Sequence, residues 1–298
     1  MTRRVLIIAH PGRPDLQELV GVVAKLMREA GLDPVVPAPT ALRGIFGDDI
    51  SVADTQVPAL GCELVCVLGG DGTILRGAEL ARETDTPLLG VNFGHVGFLA
   101  EAEKEDLAVT VERISAEDYR VEDRMTLDVV VRSGSDIVAQ SWALNEVTVE
   151  KAARERVLEL ILEIDGRPLS TWGCDGVVMA TPTGSTAYAF SAGGPVVWPD
   201  VQATLLVPLS AHALFARPLV VAPDSQVAVE LVPGIRGRGV MWCDGARPVD
   251  LPDGARVEVT RGDRPVRLVR LSEAPFTDRL VEKFDLSVEG WRGGRRRT

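Results

Sequence analysis

The run Gly69-Gly70-Asp71-Gly72-Thr73 follows the apolar stretch Leu64-Val65-Cys66-Val67-Leu68, and Leu75, Ala78, Glu79 and Ala81 follow it at helical spacing. A strand–turn–helix with this composition suits phosphate. Glycines tolerate positive φ and let backbone approach a ligand closely, and the free amides at a helix start can hold a diphosphate, aided by the helix dipole. Asp71 is the chemically informative member. A carboxylate beside phosphates is electrostatically costly, so it reads as a metal ligand or as the base for an attacking hydroxyl. Against this stands an ordinary turn with Asp71 as a helix cap; only the flanking strand and helix tilt the balance.

Three further segments add to this turn. Asn92-Phe93-Gly94-His95-Val96-Gly97-Phe98-Leu99 is a second glycine-rich turn one strand–helix unit later, placed to line the same crevice. Thr181-Pro182-Thr183-Gly184-Ser185-Thr186-Ala187-Tyr188, with Ser191-Ala192-Gly193-Gly194-Pro195 close behind, offers small hydroxyls, glycines and one tyrosine. A flat ring and a ribose can approach such a surface. Asp175-Gly176 sits at the mouth of the strand at 177–180, and Asn145-Glu146 interrupts the strand-like run 142–149. A buried carboxylate needs a partner, which a ribose diol or an amide would supply. Taken alone, Asn145-Glu146 reads better as an Asx turn beside a solvated glutamate.

These residues need a scaffold, and the pattern supplies one. Residues 5–10, 64–68 and 87–91 are short apolar strands separated by helix-like stretches. The first helix is predicted from a capping box at Asp15 and Glu18, through Leu16, Leu19, Val20, Val23, Met27 and Ala30, to a stop at Gly31. Strands alternating with helices predict a parallel sheet, with ligands beyond the strands' carboxyl ends. The stretch 37–61 has Pro and Gly but little periodicity and reads as a mobile loop. After Tyr119 the character changes to β-rich, with strands at 127–131, 157–164, 177–180, 205–209, 227–232 and 257–259, and Asp165-Gly166 as a turn. Residues 276–291 look helical and apolar enough to dock back, and Arg295-Arg296-Arg297 reads as a solvated end. The expected organisation is an α/β domain over 1–115 with a parallel sheet, a β-rich domain over 116–270, and a tail over 271–298 that returns to the first domain.

The chain of 298 residues carries 32 Lys+Arg against 43 Asp+Glu, a net charge of −11. That balance disfavours a duplex-DNA partner, whose phosphates demand clustered Lys and Arg, yet it permits a nucleotide enzyme in which backbone amides or a metal neutralise a few phosphates. Hydrophobic residues at 46 % suffice for a large core. No segment approaches the roughly 18–20 consecutive apolar residues of a membrane span. Cys62, Cys66, Cys174 and Cys243 form no Cys-x-x-Cys pair, supporting neither a zinc site nor a disulfide framework. A cytoplasmic setting without membrane or nucleic-acid partners is expected.

Taken together, the motifs at 69–73, 92–99, 145–146, 175–176, 181–188 and 191–195 resemble those of bacterial NAD kinases, in the family's order and over most of the chain. The turn at 69–73 is shared with lipid kinases of the diacylglycerol and sphingosine type; the 181–195 segment carries the specificity. Ala211-His212 departs from the Pro-His more frequent in the family. The resemblance implies a two-domain NAD kinase-like architecture and transfer of the γ-phosphate of ATP, or of phosphate from polyphosphate, to the adenosine-side 2′-hydroxyl of NAD, giving NADP. It implies Asp71 as the proton acceptor, and Asp71, Gly72, Arg76, Asn145, Glu146, Asp175, Thr186, Ala187, Tyr188 and Ser191 around NAD. It implies Gly69, Gly70, Gly72 and Thr73 as the phosphate-donor turn. Arg154 and Arg156 remain alternatives for a further phosphate contact. No Gly-x-x-x-x-Gly-Lys-[Ser/Thr] occurs, so ATP is not held in the P-loop manner. A divalent ion, Mg²⁺ foremost, is implied as cofactor, with ligands unassigned, and a homodimer or homotetramer as the assembly. Two other readings stay in competition: a lipid kinase, and a dinucleotide-binding sensor without the chemistry.

Overall fold

Short, wholly apolar stretches bounded by turn residues become strands buried on both faces, and the first third of this chain is built that way. The computed structural model describes residues 3–10, 14–37, 50–53, 56–93, 97–152, 157–234 and 237–288, without the side chains of 14–17 and 104. The side chain of the expected cap Asp15 is therefore not described, and the turn residues Gly94, His95 and Val96, the candidate Arg154 and Arg156, most of the predicted loop at 37–61 and the terminal arginines lie outside the described residues.

In chain order the first elements are β1 (Arg4–Ala9), α1 (Pro14–Glu29), β2 (Asp33–Pro37), β3 (Ser51–Ala53), β4 (Leu64–Leu68), α2 (Asp71–Arg82), β5 (Leu88–Asn92), β6 (Ala102–Glu103), α3 (Leu107–Ser115) and β7 (Arg120–Arg124). Helix α1 starts at Pro14, one residue before the predicted cap, with proline at a first helical position where its missing N–H costs nothing. It ends at Gly31, whose φ of +81° and the Leu32 N–H bond to the Met27 carbonyl close the helix.

Next come β8 (Leu127–Ser133), β9 (Asp136–Ala143), β10 (Glu146–Lys151), β11 (Leu158–Ile164), β12 (Arg167–Cys174), β13 (Gly176–Ala180), α4 (Tyr188–Ser191), β14 (Thr204–Leu209), β15 (Leu219–Val221), β16 (Val227–Leu231), β17 (Gly239–Cys243), β18 (Arg247–Leu251) and β19 (Arg256–Arg261). The chain then returns with β20 (Val266–Arg270) and α5 (Phe276–Phe284).

The chain divides into two units, residues 1–123 with 266–298, and residues 124–265. These bounds differ from 115/116 and 270/271, because β7 and β20 are both strands of the first sheet, ordered β3-β2-β1-β4-β5-β20-β7. Strand β20 pairs in parallel with β5 through Leu268 and Leu88, a partner about 180 residues away in sequence that no local pattern signals. The pairs β1–β2, β1–β4, β2–β3 and β4–β5 are also parallel. One face of the sheet (Val5, Ile7, Cys66, Leu68, Leu89, Val91) packs with α1 and α3. The opposite face takes α2 at short range: a Cβ on Gly77 would lie 2.5 Å from Val67, and one on Gly90 2.4 Å from Ile74.

The second unit holds two six-stranded antiparallel sheets, β15-β14-β13-β10-β17-β18 and β12-β11-β16-β19-β8-β9. Alternate residues of both share one core around the fully buried Trp172, including Val147, Val149, Leu160, Met179, Val229, Met241 and Val257. The turn Asp165-Gly166, with φ of +51° and +70°, joins β11 to β12 as the sequence predicts. A small second cluster, Val178, Ala180, Leu205 and Val207 with Ala189, lies under α4 on the other face of β13 and β14.

Candidate functional site

In the first unit, the glycine-rich turns lie at the carboxyl ends of adjacent parallel strands, β4 and β5. Gly69 has φ of +153°, and a Cβ there would lie 2.7 Å from the Thr73 hydroxyl, so the turn folds back on its own helix. Gly70 is the N-cap of α2, Asp71 the first helical residue, and no side chain caps the helix among the described residues. Asp71 is therefore not the helix cap that an ordinary turn would make of it. Its carboxylate instead accepts the N–H groups of Phe98 and Leu99, both at 3.1 Å, one on each oxygen. A Cβ on Gly97 would lie 2.3 Å from Asp71 Oδ1, so the second turn can pass this close only as glycine. The two motifs are thus one structure, pinned through Asp71. Each oxygen keeps further acceptor capacity, and the helix start favours its negative charge. Gly70, Gly72 and Arg76 are exposed, and Thr73 is buried. The Asn92 side-chain amide donates to Glu103 at 3.2 Å.

In the second unit, Asn145 and Glu146 turn the chain from β9, in one sheet, into β10, in the other. The interruption of the run 142–149 is this crossing. The corner is held by a residue that sequence reading left unassigned. Asp244, with φ of +52° in the turn between β17 and β18, accepts the N–H groups of Leu144 (3.0 Å), Asn145 (2.7 Å) and Glu146 (3.3 Å). Arg247 donates to Asp244 at 2.9 Å and to the Trp142 carbonyl at 2.7 Å, and its guanidinium lies 4.9 Å from the Trp142 ring centre. The signal available in sequence was the turn dipeptide Asp244-Gly245 between two strand-like runs.

The Thr181–Tyr188 segment closes over the same corner. The Thr181 hydroxyl donates to the Leu144 carbonyl at 2.6 Å and its N–H to the Asn145 carbonyl at 2.9 Å. A Cβ on Gly184 would lie 2.0 Å from that Asn145 oxygen. Ser185, fully buried, bonds Pro182 and Val197, and Thr186 donates to the Thr183 carbonyl at 3.2 Å. Ala187 and Thr186 are half-buried, while Tyr188 and Ser191 are exposed.

Because strand side chains alternate, Glu146, Thr148 and Glu150 share one face of β10 while Val147 and Val149 enter the core. Glu146 is buried, and its Oε2 has no hydrogen-bond partner among the described residues. Burial first, then the neighbouring Asp244, outweigh the Tyr188 N–H and push the Glu146 carboxyl up to about 8. The Tyr188 hydroxyl lies 3.5 Å from Glu150, and burial together with Glu150 raises its phenol. Asp175 sits at the other end of β13, joined to Lys151 at 2.5 Å. The predicted residues of this unit thus follow one strand face, from the Asn145 corner to the Lys151–Asp175 pair.

Comparison with known proteins decides the family. Residues 5–119 match the family model of the ATP-NAD kinase N-terminal domain and residues 144–271 that of the ATP-NAD kinase C-terminal domain. An NAD kinase of Leifsonia xyli subsp. xyli is 59% identical over 296 residues, spanning 98% of this chain and 97% of the relative. The chain belongs to the NAD kinase family.

A second relative, NAD kinase 2 of Streptomyces coelicolor, is 57% identical over 293 residues, 98% of this chain and 97% of its own. Among solved structures, a yeast NADH kinase in complex with NADH matches with a TM-score of 0.88 at 23% identity, over 97% of this chain and 89% of that one. An NAD kinase from Archaeoglobus fulgidus in complex with ATP matches with a TM-score of 0.72 at 24% identity, over 95% and 100%. The two-domain NAD kinase fold, a parallel-sheet unit followed by antiparallel sheets, is therefore the fold of this chain.

Proposed function

We propose that the protein is an NAD kinase that transfers the γ-phosphate of ATP to the 2′-hydroxyl on the adenosine ribose of NAD. The observation that carries this reading is the near full-length similarity to NAD kinases, with Asp71 held by two amides at the start of α2. The hydroxyl oxygen bonds to the γ-phosphorus as the β–γ bridging P–O bond breaks, so that NADP and ADP are formed. Asp71 accepts the hydroxyl proton. In a loose transition state that proton leaves late, so the fixed orientation of the carboxylate contributes more than its basicity. Gly69, Gly70, Gly72 and Thr73 present the turn to the phosphates, with Arg76 on the exposed side of α2. Asn145, Glu146, Asp175, Thr186, Ala187, Tyr188 and Ser191 hold NAD.

Among the described residues no three His, Cys, Asp or Glu side chains converge as a metal site. The described residues thus offer no all-protein cage for a cation. The divalent cation, Mg²⁺, enters instead with the triphosphate as part of the donor substrate, which is how this small ion is usually held. No helix among the described residues is long and apolar enough to cross a membrane; the protein works in the cytoplasm as a homodimer or homotetramer, a point for light scattering on the purified protein. The deciding experiment incubates the protein with NAD, ATP and Mg²⁺ and reads NADP. Formation of NADP is expected, and none above a mock preparation of folded protein, with ATP or with polyphosphate, overturns the reading.

A further inference from the structure

We propose that Arg279, on the C-terminal helix α5, is a positioning residue for Asp71, acting through the segment Gly97-Phe98-Leu99-Ala100-Glu101. The proposal rests on Asp71 being the proton acceptor. The amides that fix both Asp71 oxygens belong to this segment, so whatever holds the segment sets the direction of the carboxylate. On its strand side the Glu101 N–H donates to the Gly90 carbonyl at 2.9 Å, and β6, directly after the segment, pairs with β5.

The other ties come from the far end of the chain. Arg279 donates to the Ala100 carbonyl at 2.5 Å and also to the Glu101 carboxylate. The Glu101 side chain is fully buried and receives in addition Arg270 at 2.8 Å and the N–H groups of Leu271 (2.9 Å) and Ser272 (2.8 Å). The Phe98 ring lies 5.9 Å from Phe276 and 5.7 Å from Phe284, the two ends of α5. Helix α5 has no buried residue of its own. Its grip on residues 98, 100 and 101 is therefore out of proportion to the little core that it adds.

Arg279 differs from Arg270 in what its loss would leave. Without Arg279, Glu101 keeps Arg270 and two amides, so the buried charge remains compensated. What disappears is the tie between α5 and the Ala100 carbonyl, one residue beyond the Leu99 amide. The consequence is a loosened carboxylate at Asp71 rather than an unfolded unit.

The test uses the full chain with Arg279→Gln, alone and combined with Asp71→Asn. Misplacement of a reacting group lowers kcat by about 10- to 100-fold, and that loss is expected for Arg279→Gln with the KM for NAD within about two-fold of the parent. In the Asp71→Asn background the same change should cost nothing further, because the group it positions has gone. Equal losses in both backgrounds, or unchanged kcat, overturn the proposal. If Arg279→Gln lowers Tm below the assay temperature, Phe284→Ala loosens the Phe98 ring contact with the Glu101 cluster intact and goes through the same comparison. Hydrogen exchange at the Phe98 and Leu99 amides supplies a readout independent of turnover. Faster exchange in Arg279→Gln supports the strap even if no NADP is made, a failure that would fall on the kinase reading; unchanged exchange overturns the strap.

Discussion

Both oxygens of Asp71 are engaged by backbone amides, which fixes the carboxylate plane and leaves each oxygen able to accept one bond more. Asp71→Asn should retain NAD binding by calorimetry while turnover falls by about 10²-fold or more, within the span of general-base contributions; unchanged turnover removes Asp71 from that role. Gly97→Ala makes the same point from the other side of the contact. Its Cβ would lie 2.3 Å from Asp71 Oδ1, so either the carboxylate or the turn must move, and kcat should fall with protein stability less affected. Glu146 offers a pH signature. Burial and Asp244 raise its folded value to about 8, well above the ordinary glutamate range near 4.3 that it regains on unfolding. Between those two values the native state binds the proton and the unfolded state does not. Its contribution to stability is thus full below about pH 4.3 and is lost progressively as pH rises to about 8, by at most ~1.4 kcal/mol per pH unit. Denaturation of the second unit should show this decline, and Glu146→Gln should flatten it.

At the scale of elements, the corner joining β9 to β10 depends on the turn that follows β17, the strand paired beside β10. Asp244 gathers three amides and Arg247 in a site where its side chain is only 3% exposed. Asp244→Ala strands those donors and the guanidinium, and a loss of about 3 kcal/mol is expected in urea denaturation of that unit. Asp244→Asn, which removes the charge facing Glu146, should move the decline assigned to Glu146 to lower pH. Gly184→Ala would drive a methyl to 2.0 Å from the Asn145 carbonyl. The 181–188 segment must then lift from the corner, and the KM for NAD should rise while kcat changes less. The burial of Glu146 was not legible: Asn145-Glu146 alone reads as an Asx turn beside a solvated glutamate, whereas the crossing between sheets places Glu146 in β10 and buries it. Nor was Asp244 legible, because nothing local connects it to residues 99 positions earlier in the chain.

For the whole molecule, a net charge of −11 means that long-range attraction does not gather two anionic substrates. In the proposed reaction phosphate charge is met locally, by turn amides, Arg76 and the cation that travels with the nucleotide, so excess chelator should abolish turnover and added Mg²⁺ restore it. Chain connectivity has its own consequence. The first unit is discontinuous, and β20 stands between β5 and β7. A chain ending at Pro265 should lose the cooperative unfolding of that unit, whereas one ending at Ser272 should keep it, as thermal denaturation would show. The sequence alone determined the strand–turn–helix about Asp71, the parallel character of the first sheet, the β-rich remainder and the family-like order of motifs, because these rest on local periodicity, turn chemistry and glycine placement. Tertiary structure decided that β7 and β20 complete the first sheet, that Phe98 and Leu99 aim Asp71, that α5 grips their segment through Arg279, and that Asp244 builds the Asn145–Glu146 corner. Each of these is a contact between residues distant in the chain, made by backbone groups or buried charges that satisfy one another only after the sheets have closed.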